Sequence, residues 1–372
     1  MGRPLSLDGV STYPLASRKS KVSRASFARP HRRGAAFASF LDGLPAILAG
    51  DTVRALRDEI LRARARRRPV IWGLGAHVIK VGLSPVVIDL MERGLVTAIA
   101  LNGAGIVHDF ELAVAGRTSE DVEAGLGTGA FGMARETGEE VNRAIVAGDR
   151  DGLGLGAAVG RYIAARRPRA RHADLSLLAA AWRLGLPATV HVAIGTDIVH
   201  IHPACDPGAV GRYLSTRRPR ARHLDASLLA AAWRLGLGAT VHVAIGTDIV
   251  HVHPACDPGA LGRATHLDFR TFAGEVARLG GGGVYLNVGS AVVLPEVFLK
   301  AVTLARNLGH PVSDFATANL DFLQSYRPGV NVVERPVRGS GRGYRLTGHH
   351  EILVPLLAAA LVEKAGPRRR RR

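Results

Sequence analysis

The chain is poor in cysteine: it has two, Cys205 and Cys256. They occupy matching positions of an internal repeat, so they are one cysteine copied. Nothing here reads as a disulfide framework built for an oxidising compartment. No apolar run approaches the roughly 18 residues that a membrane-spanning helix needs. Residues 1–21 are polar and basic and lack the apolar centre of a secretory leader, so the expected location is the cytoplasm. Aromatic residues make up only 5% of the chain and lysine is scarce, with 5 against 44 arginines. The net charge of +18 nevertheless raises the question of nucleic acid. Much of that charge sits at the ends, in the basic segment 1–36 and in Arg368–Arg372. The rest gathers in arginine runs at 62–68, 166–171 and 217–222. None of these is interleaved with aromatics, so the stacking platforms of a single-strand binder are missing. The arginines read as solvated surface, and nucleic acid is not an expected partner.

What is present is a globular composition, 47% hydrophobic and 22% charged, which is ample for a core. The clearest feature is a 51-residue unit written twice, at 161–211 and 212–262, identical at 43 of 51 positions. The differences are Ile163/Leu214, Ala164/Ser215, Ala165/Thr216, Ala173/Leu224, Leu175/Ala226, Pro187/Gly238, Ile201/Val252 and Val210/Leu261. Such closeness indicates a recent duplication, because a solenoid needs more than two units. The organisation is then an extended basic arm (1–36), one α/β domain (37–366) carrying the duplication, and an Arg-rich tail (367–372). Only one copy can fill the slot in the sheet. The second is expected there, because it runs directly into the following helix.

Apolar spacing predicts helix over 40–66, broken near Gly50. A strand at 70–74 opens on a Gly-rich turn before a helix at 84–93, and a second strand spans 96–101. Thr118-Ser119-Glu120-Asp121 has capping-box spacing, and helix continues over 131–146. Within the first repeat, a helix at 177–184 is stopped by Gly185 and followed by a strand at 188–194. Helix is then predicted at 267–279, strand at 283–288, helix at 295–308 with Gly309 as its stop, strand at 330–333 and helix at 352–362. Apolar strands alternating with helices form a mostly parallel, doubly wound, Rossmann-like sheet. Ligands of such sheets sit beyond the carboxyl ends of the strands. The polar and Gly-rich stretches 73–82, 102–109, 195–202 and 287–290 all fall there.

Two of these stretches carry candidate chemistry. In Gly73-Leu74-Gly75-Ala76-His77-Val78-Ile79-Lys80-Val81-Gly82 the glycines allow close approach of backbone to a phosphate. Lys80 adds a cation for a phosphate or carboxylate. The third glycine comes too late for the usual dinucleotide fingerprint, so a plain tight turn stays open. Asn102-Gly103-Ala104-Gly105-Ile106-Val107-His108-Asp109 makes room for a flat ligand. His108 and Asp109 offer an acid–base or ribose-binding pair there, although Asp109 could equally start a helix. Histidines gather near strand ends at His77, His108, His191, His200, His202, His349 and His350. His200 and His202 share a face if extended, and with a carboxylate could hold zinc. His191, inside a strand, reads as core. Gly280–Gly283 precedes its strand and reads as a turn.

Taken in order, these segments resemble the deoxyhypusine synthase family, and more closely its bacterial deoxyhypusine-synthase-like branch. Gly73 to Gly82 resembles a family segment reading G-x-T-S-N-x-x-x-x-G, and Asn102 to Asp109 its T-A-G-G-x-x-x-D. Pro187 to Asp197 is similar to I-P-V-x-x-P-A-x-T-D. Gly348-His349-His350-Glu351 with Val354-Pro355-Leu356-Leu357 is similar to A-D-A-S-x-x-x-P-L-L. The resemblance implies an NAD-binding domain assembled as a homotetramer. It places NAD contacts on Gly75, Ala76, His77, Asn102, Gly103, Ala104 and Asp197 or Asp248, with Gly348 and His349 closing the site. One departure is large. The stretch at 324–343, QSYRPGVNVVERPVRGSGRG, lacks the lysine, tryptophan and aspartate of the family's butylamine-accepting segment. A Schiff base needs an amine nucleophile, so authentic deoxyhypusine synthesis is not expected. The paired histidines that the family carries further upstream are replaced by Leu294 and Pro295. The expectation is an NAD-dependent transferase or oxidoreductase acting on a small amine or amino-acid-like substrate. His108 or His349 would be the acid–base group, Asp109 would bind a cation and Lys80 an anion. The alternatives are a metal-dependent hydrolase and a non-catalytic nucleotide-binding scaffold.

Overall fold

Five consecutive apolar or small residues, Val70–Leu74, form strand β1, and all five are buried. A strand with no exposed face belongs in the middle of a covered parallel sheet. The computed structural model describes residues 4–166, 170–193, 235, 237, 244 and 247–365, and in it β1 is central. Around it lie β2 (Ala98–Asn102), β3 (Ala188–His191), β4 (Val284–Val288), β5 (Ala316–Asp321) and β6 (Arg342–Thr347). The order is β3-β2-β1-β4-β5-β6, and every neighbouring pair is parallel. The direction of winding reverses between β1 and β4, which is the switch point where such sheets bind ligands.

The helices are α1 (Phe37–Gly43), α2 (Leu48–Ala65), α3 (Ala76–Lys80), α4 (Ser84–Glu92), α5 (Gly103–Ala115), α6 (Val122–Leu126) and α7 (Arg135–Arg150). They continue with α8 (Leu155–Ala165), α9 (Leu177–Leu184), α10 (Ile249–Val252), α11 (Pro258–Ala277), α12 (Val293–Asn307) and α13 (His350–Ala365). Strand alternation splits the core in two. Trp72, Leu74, Ile99, Leu101, Leu286 and Val288 join one apolar cluster with α2, α4, α5 and α13. Ile71, Ala98, Ala100 and Tyr285 face the other, with Phe269, Phe272 and Phe298 of α11 and α12. Tyr285 stacks on Phe298 at 3.8 Å between ring centres.

Among the described strands, the β3 edge is closed by side chains. On β3, Thr265 donates to the Val190 carbonyl (3.0 Å), and the Val190 N–H donates to Asp268 (2.7 Å). Two residues of α11 thus satisfy an edge that would otherwise invite another strand. Asp268 also accepts from the Gly156 N–H at 2.9 Å, and burial pushes its carboxyl up to about 8. On β6, the exposed Arg342 pairs with the buried Glu59 of α2, which Tyr344 also contacts at 3.1 Å.

The structure corrects several expectations. The first repeat, not the second, fills the sheet slot: α9 and β3 are residues of the first copy. The second copy supplies residues 247–262, including α10 and the start of α11. Asp197, His200, His202 and Cys205 lie outside the described residues. Residues 330–333 are wound in a π-helical turn, Gly329–Glu334, rather than extended. The last two strands are β5 and β6 instead. The capping box at 118–121 does not form: Asp121 caps α6 alone, by accepting from Ala124 N, while Thr118 turns elsewhere. Among the described residues, no helix is long and apolar enough to cross a membrane.

Candidate functional site

Because all six strands run the same way, their carboxyl ends meet along one margin of the sheet. At its centre, Gly75 follows β1 and Gly289 follows β4. A Cβ at Gly75 would sit 2.0 Å from the Gly289 carbonyl oxygen, so only glycine fits there. His350, the first residue of α13, packs on Gly289. Its Nε2 lies 3.1 Å from the Leu320 carbonyl and 3.7 Å from Asp321 Oδ1. The His77 ring lies 5.5 Å from it. Behind them Asn287 and Asn319, register partners on β4 and β5, are joined at 2.7 Å. Asn319 donates onward to Gln324 at 2.9 Å.

The other half of the margin is built on β2 and β3. Asn102 ends β2 and caps α5 by accepting from the Gly105 N–H at 3.1 Å, as its side-chain type favours at that position. Gly103, the next residue, is buried against Val192 and Asp248. A Cβ there would meet Asp248 Oδ2 at 2.8 Å. Asp248 belongs to the second repeat, while Val192 directly follows β3 of the first. This wall therefore combines the strand of one copy with the loop of the other. Asp248 is held by a capping box with His251: its side chain takes the His251 N–H, and its own N–H donates to His251 Nδ1. Asn142 of α7 anchors the same loop by donating to the Val250 carbonyl at 3.0 Å.

His108, on the first turns of α5, is half-buried. Burial and the nearby Lys80 ammonium hold its imidazole below the ordinary range, and Asp248 opposes them. The cation and the carboxylate thus both act on the imidazole, although the three come from separate stretches of sequence. Its Nδ1 is 2.7 Å from Thr118 Oγ1.

The structure gives Asp109 a different duty from the expected cation binder. It is fully buried and accepts from Ser176 Oγ (2.5 Å), Leu177 N (2.6 Å) and Leu178 N (3.2 Å). It thus holds the amino end of α9, and burial raises its carboxyl to about 6. The residue that was expected to pair with His108 is spent on packing. His349 lies at the rim, exposed, stacked on Phe322 at 4.8 Å and 3.6 Å from Glu351. The buried member of that pair is His350. Sequence reasoning missed Asp321 because β5 itself went unread. It also missed Thr118, whose capping-box spacing pointed to a helix start. His191 is a core residue, as its place within a strand implied. It is wholly buried at 3.0 Å from Thr189 Oγ1, with its basicity pushed down to about 3.

Among the described residues, no three His, Cys, Asp or Glu side chains gather as a metal set. A cavity of about 490 Å³ lined by Glu59, Arg62, Arg66, Gly282, Asp314, Arg342 and Tyr344 lies at the opposite, amino-terminal margin of the sheet. Its central charge, Glu59, is already matched by Arg62 and Arg342.

A scan against protein-family models and a search of curated proteins found no match. Solved structures of similar shape include a protein designated a deoxyhypusine synthase from Entamoeba histolytica. It is 8% identical with a TM-score of 0.44, covering 90% of this chain and 95% of that one. An LOR/SDH protein from Methanococcus maripaludis S2 is 11% identical with a TM-score of 0.45, covering 86% and 71%. AgrE, in its ternary complex with ornithine and NAD+, is 12% identical with a TM-score of 0.43, covering 84% of this chain. The chain spans about a third of the length of AgrE (33%). It is an α/β protein with a doubly wound, Rossmann-like parallel sheet, and its structural neighbours include a protein designated a deoxyhypusine synthase.

Proposed function

We propose that the chain is a deoxyhypusine-synthase-like, NAD-dependent enzyme acting on a small amine or amino-acid-like substrate. One observation carries this reading: Asp248 lies against Gly103, where α5 begins at the carboxyl end of β2, and the His108 imidazole of the same helix feels the charges of Lys80 and Asp248. The margin fits a dinucleotide. Gly75 and Gly103 let the turn after β1 pack on Gly289 and the start of α5 pack on Asp248. The N-terminus of α5, a helix of 13 residues, presents N–H groups that favour an anion. Asp248 offers acceptor oxygens to ribose hydroxyls. Gly75, Ala76, His77, Asn102, Gly103, Ala104, Asp248 and Gly348 form the proposed cofactor wall. Bound NAD would supply the hydride acceptor.

The remaining chemistry belongs to side chains. His108, kept neutral by burial and by Lys80, takes a proton from the substrate nitrogen as the carbon beside it is oxidised. Lys80 pairs with the substrate's anionic end. Asp321, beside His350, takes the role of cation binder that Asp109 cannot fill. The lysine-free stretch at 324–343 supports a reaction other than butylamine transfer. The resemblance also favours a homo-oligomer, a tetramer in the family. NAD should raise the melting temperature of the purified protein in a concentration-dependent way, and spermidine with a lysine-bearing acceptor protein should give no product. Absence of any NAD-induced shift sinks the proposal.

A further inference from the structure

The segment between α5 and α7 doubles back on α5. The helix ends at Gly116, whose φ of 68° lies in the left-handed region and turns the chain sharply. Two residues later, Thr118 lies against α5, with its Oγ1 between two side chains of that helix. One is His108 Nδ1 at 2.7 Å; the other is Glu111 Oε2 at 2.5 Å. The second oxygen of Glu111 accepts from Thr137 Oγ1 of α7 at 3.2 Å. Glu111 therefore sits between two hydroxyls that come from opposite ends of the 118–137 excursion.

Hydrogen counting settles the direction of this chain. A carboxylate only accepts, and a threonine hydroxyl has a single hydrogen to give. The Thr118 hydrogen goes to Glu111, so Thr118 Oγ1 can only accept from His108. The imidazole must then carry its proton on Nδ1, leaving Nε2 as the basic nitrogen. We infer that Thr118 and Glu111 are positioning residues that fix His108 in the Nδ1–H tautomer, so that Nε2 is the nitrogen that takes the substrate's proton. The order imidazole–hydroxyl–carboxylate follows the logic by which a third group orients a catalytic base. The inference rests on the proposed role of His108, but the tautomer itself does not. Charged groups from other elements that act on the ring are Lys80 of α3 and Asp248 before α10.

Free histidine in water favours the opposite, Nε2–H form, so the arrangement can be read directly. Two-bond ¹H–¹⁵N correlation spectra of the full ¹⁵N-labelled chain, with the ring signal assigned by its loss in His108→Gln, should show His108 protonated on Nδ1. Thr118→Val should shift the population toward Nε2–H by severalfold, and Thr118→Ser should restore it. A merely structural Thr118 would move the melting temperature without moving the tautomer. An Nε2–H ring in the parent chain, or a Thr118→Val protein with unchanged tautomer, overturns the inference. Should Thr118→Val fail to fold, the parent and Thr118→Ser spectra still decide. NAD titration of the same samples keeps the two readings apart: an Nδ1–H ring in a protein that ignores NAD upholds the relay while removing the proposed cofactor.

Discussion

The two repeats are nearly identical in sequence, and their described parts supply different elements of the fold. In the first repeat, Ser176 caps α9 and bonds to the buried Asp109, and β3 pairs with β2. In the second, the described residues 247–262 supply a loop with its carboxylate beside Gly103, followed by the first turn and more of α11. The described residues of the first copy, 161–166 and 170–193, continue from α8 and end just past β3, and those at 247–262 of the second lead into α11.

That contrast can be tested by changing the same residue in each copy. The largest effect is expected at the site that the first copy depends on. Asp109→Ala strands Ser176 and two backbone N–H groups in the core, and should cost about 3 kcal/mol or more in urea unfolding. Ser176→Ala should cost about 1–2 kcal/mol, the usual range for losing a cap. Ser227→Ala, the same change in the second copy, should cost less, because Asp109 is already bonded to Ser176. Equal losses would dissolve the distinction. A smaller effect is expected at the cofactor wall. Asp248→Asn should weaken NAD binding by about tenfold, or about 1.4 kcal/mol, and Asp197→Asn should leave it unchanged in the same titration. The smallest effect should come from deleting residues 194–244, which joins the strand of the first copy to the loop of the second. The shortened chain should keep its melting temperature within a few degrees and still bind NAD. Loss of folding would show that the additional unit is part of the architecture.

Much of this was legible in the residues. Val70–Leu74 reads as a covered strand and is one, and the helix at Leu177–Leu184 with its Gly185 stop stands where its pattern put it. Strands exposed at an edge or rich in polar side chains were not legible. Ala316–Asp321 carries threonine, asparagine and aspartate, and Arg342–Thr347 is largely exposed and basic; neither makes an apolar run. Val330–Val333 does make one, yet it is buried in a π-turn against α12, because period alone cannot separate a short buried helix from a strand. The site was half legible for a related reason. Lys80 and His108 lie on the helices that follow β1 and β2, so topology sets them on the same margin of the sheet. The contrasting roles of His108 and Asp109, adjacent in sequence, appear only once α9 is seen docked on Asp109.

The wall in which one copy's strand meets the other copy's aspartate has a consequence at the level of the gene. An in-register exchange between the repeats removes 51 codons wherever it falls, and the product always reads as a single uninterrupted unit. Only the eight differing positions record where the exchange took place. Pro187 against Gly238 is the one among them that alters backbone freedom directly before a strand. The duplication is thus reversible without a scar, and the shorter protein is one recombination away from the longer.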